Sequence, residues 1–154
     1  MPTQHDLCIM QGIDQTGRGM VTFSYGDTPS VVRGPQKAVQ TLCLLLMTER
    51  GSVAGDPEFG STLLSDIKSG AIRSEPDLQA YFNLAVGQAL TYLRSKRAAD
   101  TAAGGPGPVP DDEDILSVEL QSMSLVNDKA ILSILLRTRG SSGTYQIPVT
   151  VATS

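Results

Sequence analysis

Three carboxylates lie near one another in a stretch rich in glycine and proline: Glu49, Asp56 and Glu58. Two carboxyl groups that flank a glycosidic bond suffice to hydrolyse it, one as general acid and the other as base or nucleophile. The sequence does not indicate a cleft that binds sugar, because the chain has four Tyr, three Phe and no Trp to line one. Carboxylates beside glycine and proline are common in turns, and we interpret these three as turn residues.

Other residue types that carry chemistry are sparse. His5 is the only histidine and lies at a chain end, so we expect neither a Ser-His-Asp nor a Cys-His catalytic arrangement. The two cysteines, Cys8 and Cys43, lack the spacing of a zinc site. The glycines of 104–110 are interrupted by prolines and lack the following Gly-Lys-Ser/Thr of a phosphate-binding loop. We therefore predict a non-enzymatic protein with no catalytic residues, no metal and no cofactor.

The composition favours protein partners. A net charge of −4 argues against nucleic acid, because that binding requires Lys and Arg to neutralise phosphates. The longest apolar run, 42–47, is far shorter than the ~20 residues that span a membrane, and the N-terminus lacks a signal pattern. Cys43 lies inside this run, where a free thiol behaves as a small hydrophobic residue, which indicates a reducing compartment. We expect neither a nucleic acid nor a membrane as a partner.

The segment from 34 to 64 predicts a helix followed by a structured loop. Pro35 favours a helix start, because its missing N–H would be unpaired there. The uniformly apolar run 42–47 predicts a helix end that is enclosed on all sides, and Gly51 is expected to close the helix in the left-handed conformation. Phe59 follows the turn at 56–57. We interpret it as folded back under its own loop, with an exposed anchor for a partner as the alternative.

Two further helices are predicted. Ser61 or Thr62 caps a short one that Gly70 ends, and Ser74 with Asp77 forms a capping box for a longer one. The longer helix has one apolar stripe at three- and four-residue spacing. The stripe comprises Leu78, Tyr81, Phe82, Ala85, Val86, Ala89, Leu90 and Leu93.

A flexible loop is predicted at 98–112, because this stretch lacks the apolar residues that would offset the entropy of ordering. It separates the basic helix end, 94–97, from the acidic run 111–114. We interpret both charged stretches as solvated, and a contact between them is the alternative.

Short strands forming a hairpin are expected in 6–33, and three strands are expected after the loop. Alternating apolar residues mark 116–120, 130–138 and 145–151, and the density of apolar residues makes the second of these the central strand. Pro148 cannot donate to a ladder, so the last strand should lie at an edge or pair on one side only near that residue. We predict one α+β domain, 1–154: a small antiparallel or mixed sheet with a C-terminal three-stranded meander, covered by two main helices.

One family resembles this chain over roughly a fifth of its length, judged by motif. The matching order is Gly34, Gln40, a Leu-rich run, Thr48, Gly51, Asp56-Pro57 and Phe59-Gly60. It resembles the baseplate wedge proteins of contractile phage tails, the sheath-initiator family of T-even phages, with relatives in type VI secretion baseplates. Many members carry Glu where this chain has Ser52. Many also carry a Glu-Pro-Arg triplet where this chain reads Asp112, Glu113, Asp114, Ile115.

The resemblance implies a structural protein of the virion, in the tail baseplate, that is assembled in the host cytoplasm. Its partners would be baseplate wedge proteins and the first ring of tail sheath subunits, with the tail tube as a further candidate. Such a protein sits above the wedge core in a sixfold array and initiates sheath polymerisation, adding sheath strands to its sheet edge. We expect the incoming strand around Pro148, at 145–147 and 149–151, or at the opposite edge near 116–120. The candidate partner-binding residues are Phe59, Glu113, Asp114, Tyr145, Gln146, Ile147, Val149, Thr150 and Val151.

Two alternative functions stay open at this point. The first is a cell-wall-cleaving enzyme that uses Glu49 and Glu58, since the family has carried a lysozyme label. The second is a regulatory adaptor, since a bacterial anti-adaptor of the stress response resembles this family in fold.

Overall fold

The computed structural model describes residues 6–7, 10–13, 19–23, 31–105, 107–126 and 129–150. The elements in chain order are β1 Asp6–Leu7, β2 Met10–Ile13, β3 Gly19–Phe23, β4 Val31–Val32, α1 Pro35–Met47, α2 Leu63–Lys68, α3 Glu75–Ala102, a 3-10 turn Asp111–Glu113, β5 Ile115–Val126, β6 Lys129–Thr138 and β7 Ser142–Thr150. The predicted α+β class is confirmed. In these ranges no helix is both long and apolar enough to cross a membrane.

The chain divides into two compact units. Unit 1 contains the described residues of 42–109, and unit 2 contains those of 5–41 and 110–154. The division falls inside α1, so that helix begins in unit 2 and ends in unit 1. The single domain spanning 1–154 stays a prediction.

Unit 2 contains a mixed five-stranded sheet in the order β2-β3-β7-β6-β5. The C-terminal strands β5, β6 and β7 pair antiparallel in sequence, which confirms the predicted meander. The expected N-terminal hairpin forms between β2 and β3, and β3 pairs parallel with β7. The strands β1 and β4 form a separate antiparallel pair.

Cross-strand rows of apolar side chains explain the order of the meander. On β6, Leu132, Ile134 and Leu136 are buried, as the alternation predicted. Val118 of β5 lies opposite Leu136, and Ile147 of β7 lies opposite Leu132. Because β6 contributes to every row and has a neighbour on each side, its central place in the meander is confirmed.

The prediction that the last strand lies at an edge is wrong. Its residues Tyr145 and Gln146 pair with Gly19 and Met20 of β3, so β7 lies inside the sheet. The alternative, one-sided pairing near the proline, is confirmed, since Pro148 lies opposite Ile131 of β6 while the β3 register ends at Gln146. A parallel neighbour that stops before the proline removes the need for its missing N–H.

The start of α1 follows the sequence prediction and its end does not. Pro35 is the first helical residue. The helix ends at Met47, and Gly51 lies beyond it with φ +86°. The Ser61 hydroxyl donates to the Leu46 carbonyl (3.1 Å), and the Ser61 N–H donates to the Thr48 carbonyl (2.9 Å). A residue 15 positions away therefore satisfies the helix end, where we expected a local glycine cap.

Cys43 lies on α1 with 0% exposure, and burial raises the pKa of its thiol from 9.0 to about 12. In a Cys8→Ser background we expect native protein to react with thiol reagents about a thousandfold more slowly at pH 8 than unfolded protein, since the thiolate is the reactive form. Stopped labelling followed by mass spectrometry measures both rates. Comparable rates would mean that the thiol is accessible.

The same shift links stability to pH. The unfolded thiol ionises from about pH 9, while the folded thiol stays protonated until about pH 12. The contribution of the buried thiol to the free energy of unfolding is therefore complete below pH 9 and declines above it. The decline approaches ~1.4 kcal/mol per pH unit. In Cys43→Ala, this part of the alkaline slope should be absent from urea titrations.

Unit 1 is organised around α3. The Ser74 hydroxyl accepts from the Asp77 N–H (3.3 Å), which confirms Ser74 as the N-cap. The Asp77 carboxylate accepts from the Arg73 N–H (3.2 Å) and not from the Ser74 N–H, as a capping box would require. Five residues of the predicted stripe are buried: Leu78, Phe82, Ala85, Val86 and Ala89.

The loop prediction for 98–112 is wrong at both ends. The helix α3 continues to Ala102, because the alanines there are the strongest helix formers and need no apolar partner to stay helical. It ends before Gly104, which has φ +74°. Residues Asp111–Glu113 form a 3-10 turn.

Candidate functional site

The loop 48–61 of unit 1 is held in shape by backbone pairing at its base. Ser61 makes two backbone hydrogen bonds here: its carbonyl accepts from the Arg50 N–H (3.0 Å), and its N–H donates to the Thr48 carbonyl. Between them Gly60 has φ +107°, and a Cβ at this position would lie 2.5 Å from the Thr48 carbonyl oxygen. The loop can close in this way only with glycine at position 60.

Phe59 is half-buried within unit 1. Its ring meets that of Tyr92 on α3 edge to face, with the centroids 5.4 Å apart. The Tyr92 hydroxyl donates to Asp56 Oδ2 (2.6 Å). Desolvation, followed by this hydrogen bond, raises the pKa of Tyr92 to about 12. Phe59 therefore anchors the loop to α3 and keeps part of its ring accessible.

The three carboxylates of the loop each have an intramolecular partner. Glu49 Oε1 accepts from the Ser65 hydroxyl (2.8 Å), Asp56 accepts from Tyr92, and Glu58 pairs with Arg50. These contacts support their interpretation as structural residues of the loop. The enzymatic alternative stays a prediction. In the part of the chain that the structure describes, no group of three His, Cys, Asp or Glu is placed to hold a metal ion.

A groove of about 480 Å³ runs between this loop and the exposed face of α3. Arg50 and Glu58 line one side of the groove. The helix contributes Leu84, Gly87 and Thr91, among other residues, and Leu84 is 53% exposed. The groove therefore combines an ion pair with a mostly uncharged helix surface.

In unit 2, the predicted partner-binding carboxylates Glu113 and Asp114 make internal contacts. Glu113 accepts from the Gly34 N–H (3.1 Å) and pairs with Lys37 (3.3 Å). Asp114 Oδ2 accepts from both Nε and Nη2 of Arg139 (3.1 and 3.0 Å). Their side chains are only 14% and 13% exposed, so a partner would have to compete with these bonds. Their role in partner binding stays a prediction.

The candidate residues on β7 differ in their pairing, because the β3 register ends at Gln146 and Ile147, Val149 and Thr150 pair with β6 alone in the described register. Ile147 is buried, and Tyr145 and Gln146 are half-buried and paired on both sides. The side chains of Val149 and Thr150, and all of Val151, lie outside the described residues.

The accessible edge next to β6 is β5, which has 12 residues. Within the described sheet it pairs with β6 alone. The register skips Leu116 and Gln121, so each is the extra residue of a β-bulge. The intervening residues, 117–120, pair regularly with β6, and Leu116 is 50% exposed. This edge is the second expected location for an incoming strand, near 116–120.

Comparisons with protein-family models, with characterised proteins and with solved structures find no match for this chain.

Sequence reasoning flagged Asp56 and Phe59 but missed Tyr92, their common partner. Tyr92 lies outside the apolar stripe of α3, and only its hydroxyl, which seeks a partner when desolvated, could have pointed to the contact. Of the two predicted caps for α2, Thr62 occupies the N-cap position but makes no side-chain cap bond. The Ser61 hydroxyl accepts from the Leu63 N–H (3.3 Å) and also donates to the end of α1.

Proposed function

We propose that this protein is a structural component of a contractile-tail baseplate. It joins the wedge core to the tail sheath and initiates sheath polymerisation by adding a sheath strand to the edge of its sheet. The observation that carries the proposal is the outer edge of β5, which has no partner strand among the described residues, together with the motif order from Gly34 to Gly60. The location in a virion baseplate and the sixfold arrangement are implied by the family resemblance alone.

The chemistry of β5 supports strand addition. An edge strand presents a row of backbone donors and acceptors, and proteins usually protect such an edge with charges, prolines or a covering element. β5 carries one charged residue, Glu119, and no proline along its length. An incoming strand would find backbone hydrogen bonds there and an exposed apolar side chain at Leu116.

The two bulges give the edge selectivity. A bulge interrupts the regular spacing of donors and acceptors, so long strands cannot pair continuously along the whole of β5. The regular stretch 117–120 between Leu116 and Gln121 accommodates a short segment. This arrangement favours a short arm of a sheath subunit over indiscriminate edge-to-edge association of whole sheets.

A proline scan of the edge tests this mechanism. In antiparallel pairs, successive residues point their N–H alternately towards and away from the partner strand. We therefore expect proline at whichever of the neighbours Glu119 and Leu120 points its N–H outward to keep the melting temperature, and that folded variant to lose sheath assembly on baseplates. Threonine at the same position keeps the N–H and should assemble sheath normally.

The readouts are thermal melting and electron microscopy of sheath formed from purified sheath subunits and baseplates that contain each variant. Normal sheath on baseplates with a folded, outward-facing proline variant would contradict the use of this edge. A reconstruction of the assembled baseplate without a sheath strand paired to β5 would contradict the mechanism.

A further inference from the structure

One face of α3 in unit 1 is exposed and uncharged for several turns. Ala80, Leu84, Gly87 and Thr91 are all exposed, and their spacing of four, three and four residues places them in a single seam. Leu84 is 53% exposed. Gly87 has no side chain, and a Cβ built on it would meet nothing within 4 Å. The seam therefore offers a protruding apolar side chain and an empty position one turn away.

The charges on α3 are arranged asymmetrically along its length. Its first turn carries Glu75 and Asp77, and Arg94, Lys96 and Arg97 form a basic cluster before its last turn, which carries no basic residue. Asp77 and Arg94 continue the seam at its two ends, by the same three- and four-residue spacing. Two such helices laid antiparallel would place unlike charges beside each other, whereas parallel helices would place like charges together.

We propose that this seam and the groove beside it bind a second copy of the chain, with the two α3 helices antiparallel. One register satisfies every pair: Leu84 lies over Gly87 of the second copy, Ala80 faces Thr91, and Asp77 faces Arg94. All three pairs share a midpoint between Ala85 and Val86, so the contact has two-fold symmetry and each pair occurs twice. The groove of about 480 Å³ at Gly87 has room for the Leu84 side chain of the second copy.

A second copy fits these features better than an arbitrary helix, because a single register matches the protruding side chain to the empty position and the acidic first turn to the basic cluster. The inference concerns unit 1 and goes beyond the proposed function. It can be tested with the purified protein, without baseplate or sheath components.

Disulfide trapping tests the register. In a Cys8→Ser background, Ala80→Cys and Thr91→Cys are prepared as separate variants, and Cys43 is buried. We expect a covalent dimer on oxidation of the mixture but not of either variant alone, because like positions would be ~16 Å apart along the helix axis. Self-linkage of Ala80→Cys alone, or the absence of a covalent dimer in the mixture, would overturn the proposal.

Sedimentation velocity tests the association itself. The mass of the unmodified protein should rise towards that of a dimer with concentration across the micromolar range. Leu84→Glu and Gly87→Glu should each weaken association at least about tenfold, because they place a charge in the seam. Ala99→Glu is the matched control, since Ala99 is exposed on the same helix but lies off the seam, and it should associate normally.

Gly87→Ala separates the contact from any effect on folding. Alanine at this open helical position should raise the melting temperature of the monomer, while its methyl group fills the space that Leu84 of the second copy needs and weakens association. Circular dichroism confirms that each variant is folded. A monomeric mass at every concentration, or equal association of the seam and control variants, would overturn the proposal.

Discussion

Gly60→Ala should destabilise the protein by about 3 to 5 kcal/mol, the sum of two separate costs. The first is conformational, because φ at Gly60 is +107°, which side chains with a Cβ rarely adopt. The second is steric, because the new methyl group would lie 2.5 Å from the Thr48 carbonyl oxygen. That oxygen accepts the Ser61 N–H, so the backbone cannot retreat without breaking the base of the loop.

Gly55→Ala is the matched control for the steric cost. Gly55 lies in the same loop with φ +85°, and a Cβ there meets nothing within 4 Å. Gly55→Ala should therefore lower the free energy of unfolding only by the conformational cost, about 1 to 2 kcal/mol. Urea unfolding of both variants gives the difference. Equal losses at the two positions would show that the close approach at Gly60 relaxes at little cost.

Loss of the Gly60 geometry should also be visible in the loop. The closed base places Phe59 against Tyr92 and Asp56 within reach of its hydroxyl. The raised pKa of Tyr92, about 12, reports on this packing. An alkaline absorbance titration should therefore show Tyr92 ionising nearer pH 10 in folded Gly60→Ala protein than in Gly55→Ala protein.

Local chemistry explains the parts of the fold that could be read from the sequence. Pro35 begins α1 and Ser74 caps α3 because each residue satisfies or removes a donor at its own helix end. The alternation along β6 buries Leu132, Ile134 and Leu136 because side chains of a strand point alternately to its two faces. These signals require only a few neighbouring residues.

Two of the errors arose where a distant segment decides the outcome. The interior position of β7 depends on pairing of Gly19 with Tyr145, and no periodicity within β7 records the arrival of a parallel strand. The end of α1 depends on Ser61 rather than on the nearer Gly51. In both cases the expectation rested on neighbouring residues, and a contact with a residue distant in sequence determines the structure instead.

The edge of the candidate site was partly visible in the sequence. Ile115, Val118, Leu120 and Met123 of β5 each lie opposite a buried residue of β6, and their spacing of three, two and three departs from strict alternation. Each three-residue step spans one of the bulges. A break in alternation inside an otherwise apolar strand could therefore have predicted them. The internal partners of Glu113 and Asp114 had no such signal.

The apolar end of α1 should be sensitive to side-chain truncation. Leu45 and Leu46 have 0% exposure, so Leu→Ala at either should lower the free energy of unfolding by ~2 to 5 kcal/mol through lost burial and the cavity left behind. Leu44 is half-buried on the same helix, and Leu44→Ala should cost clearly less. Because the cost arises inside the folded chain, it should be the same with and without the proposed baseplate partners. If Leu45→Ala and Leu46→Ala matched the unmodified protein in urea unfolding but failed to assemble sheath, these side chains would belong to an interface and their assignment to the core would be wrong.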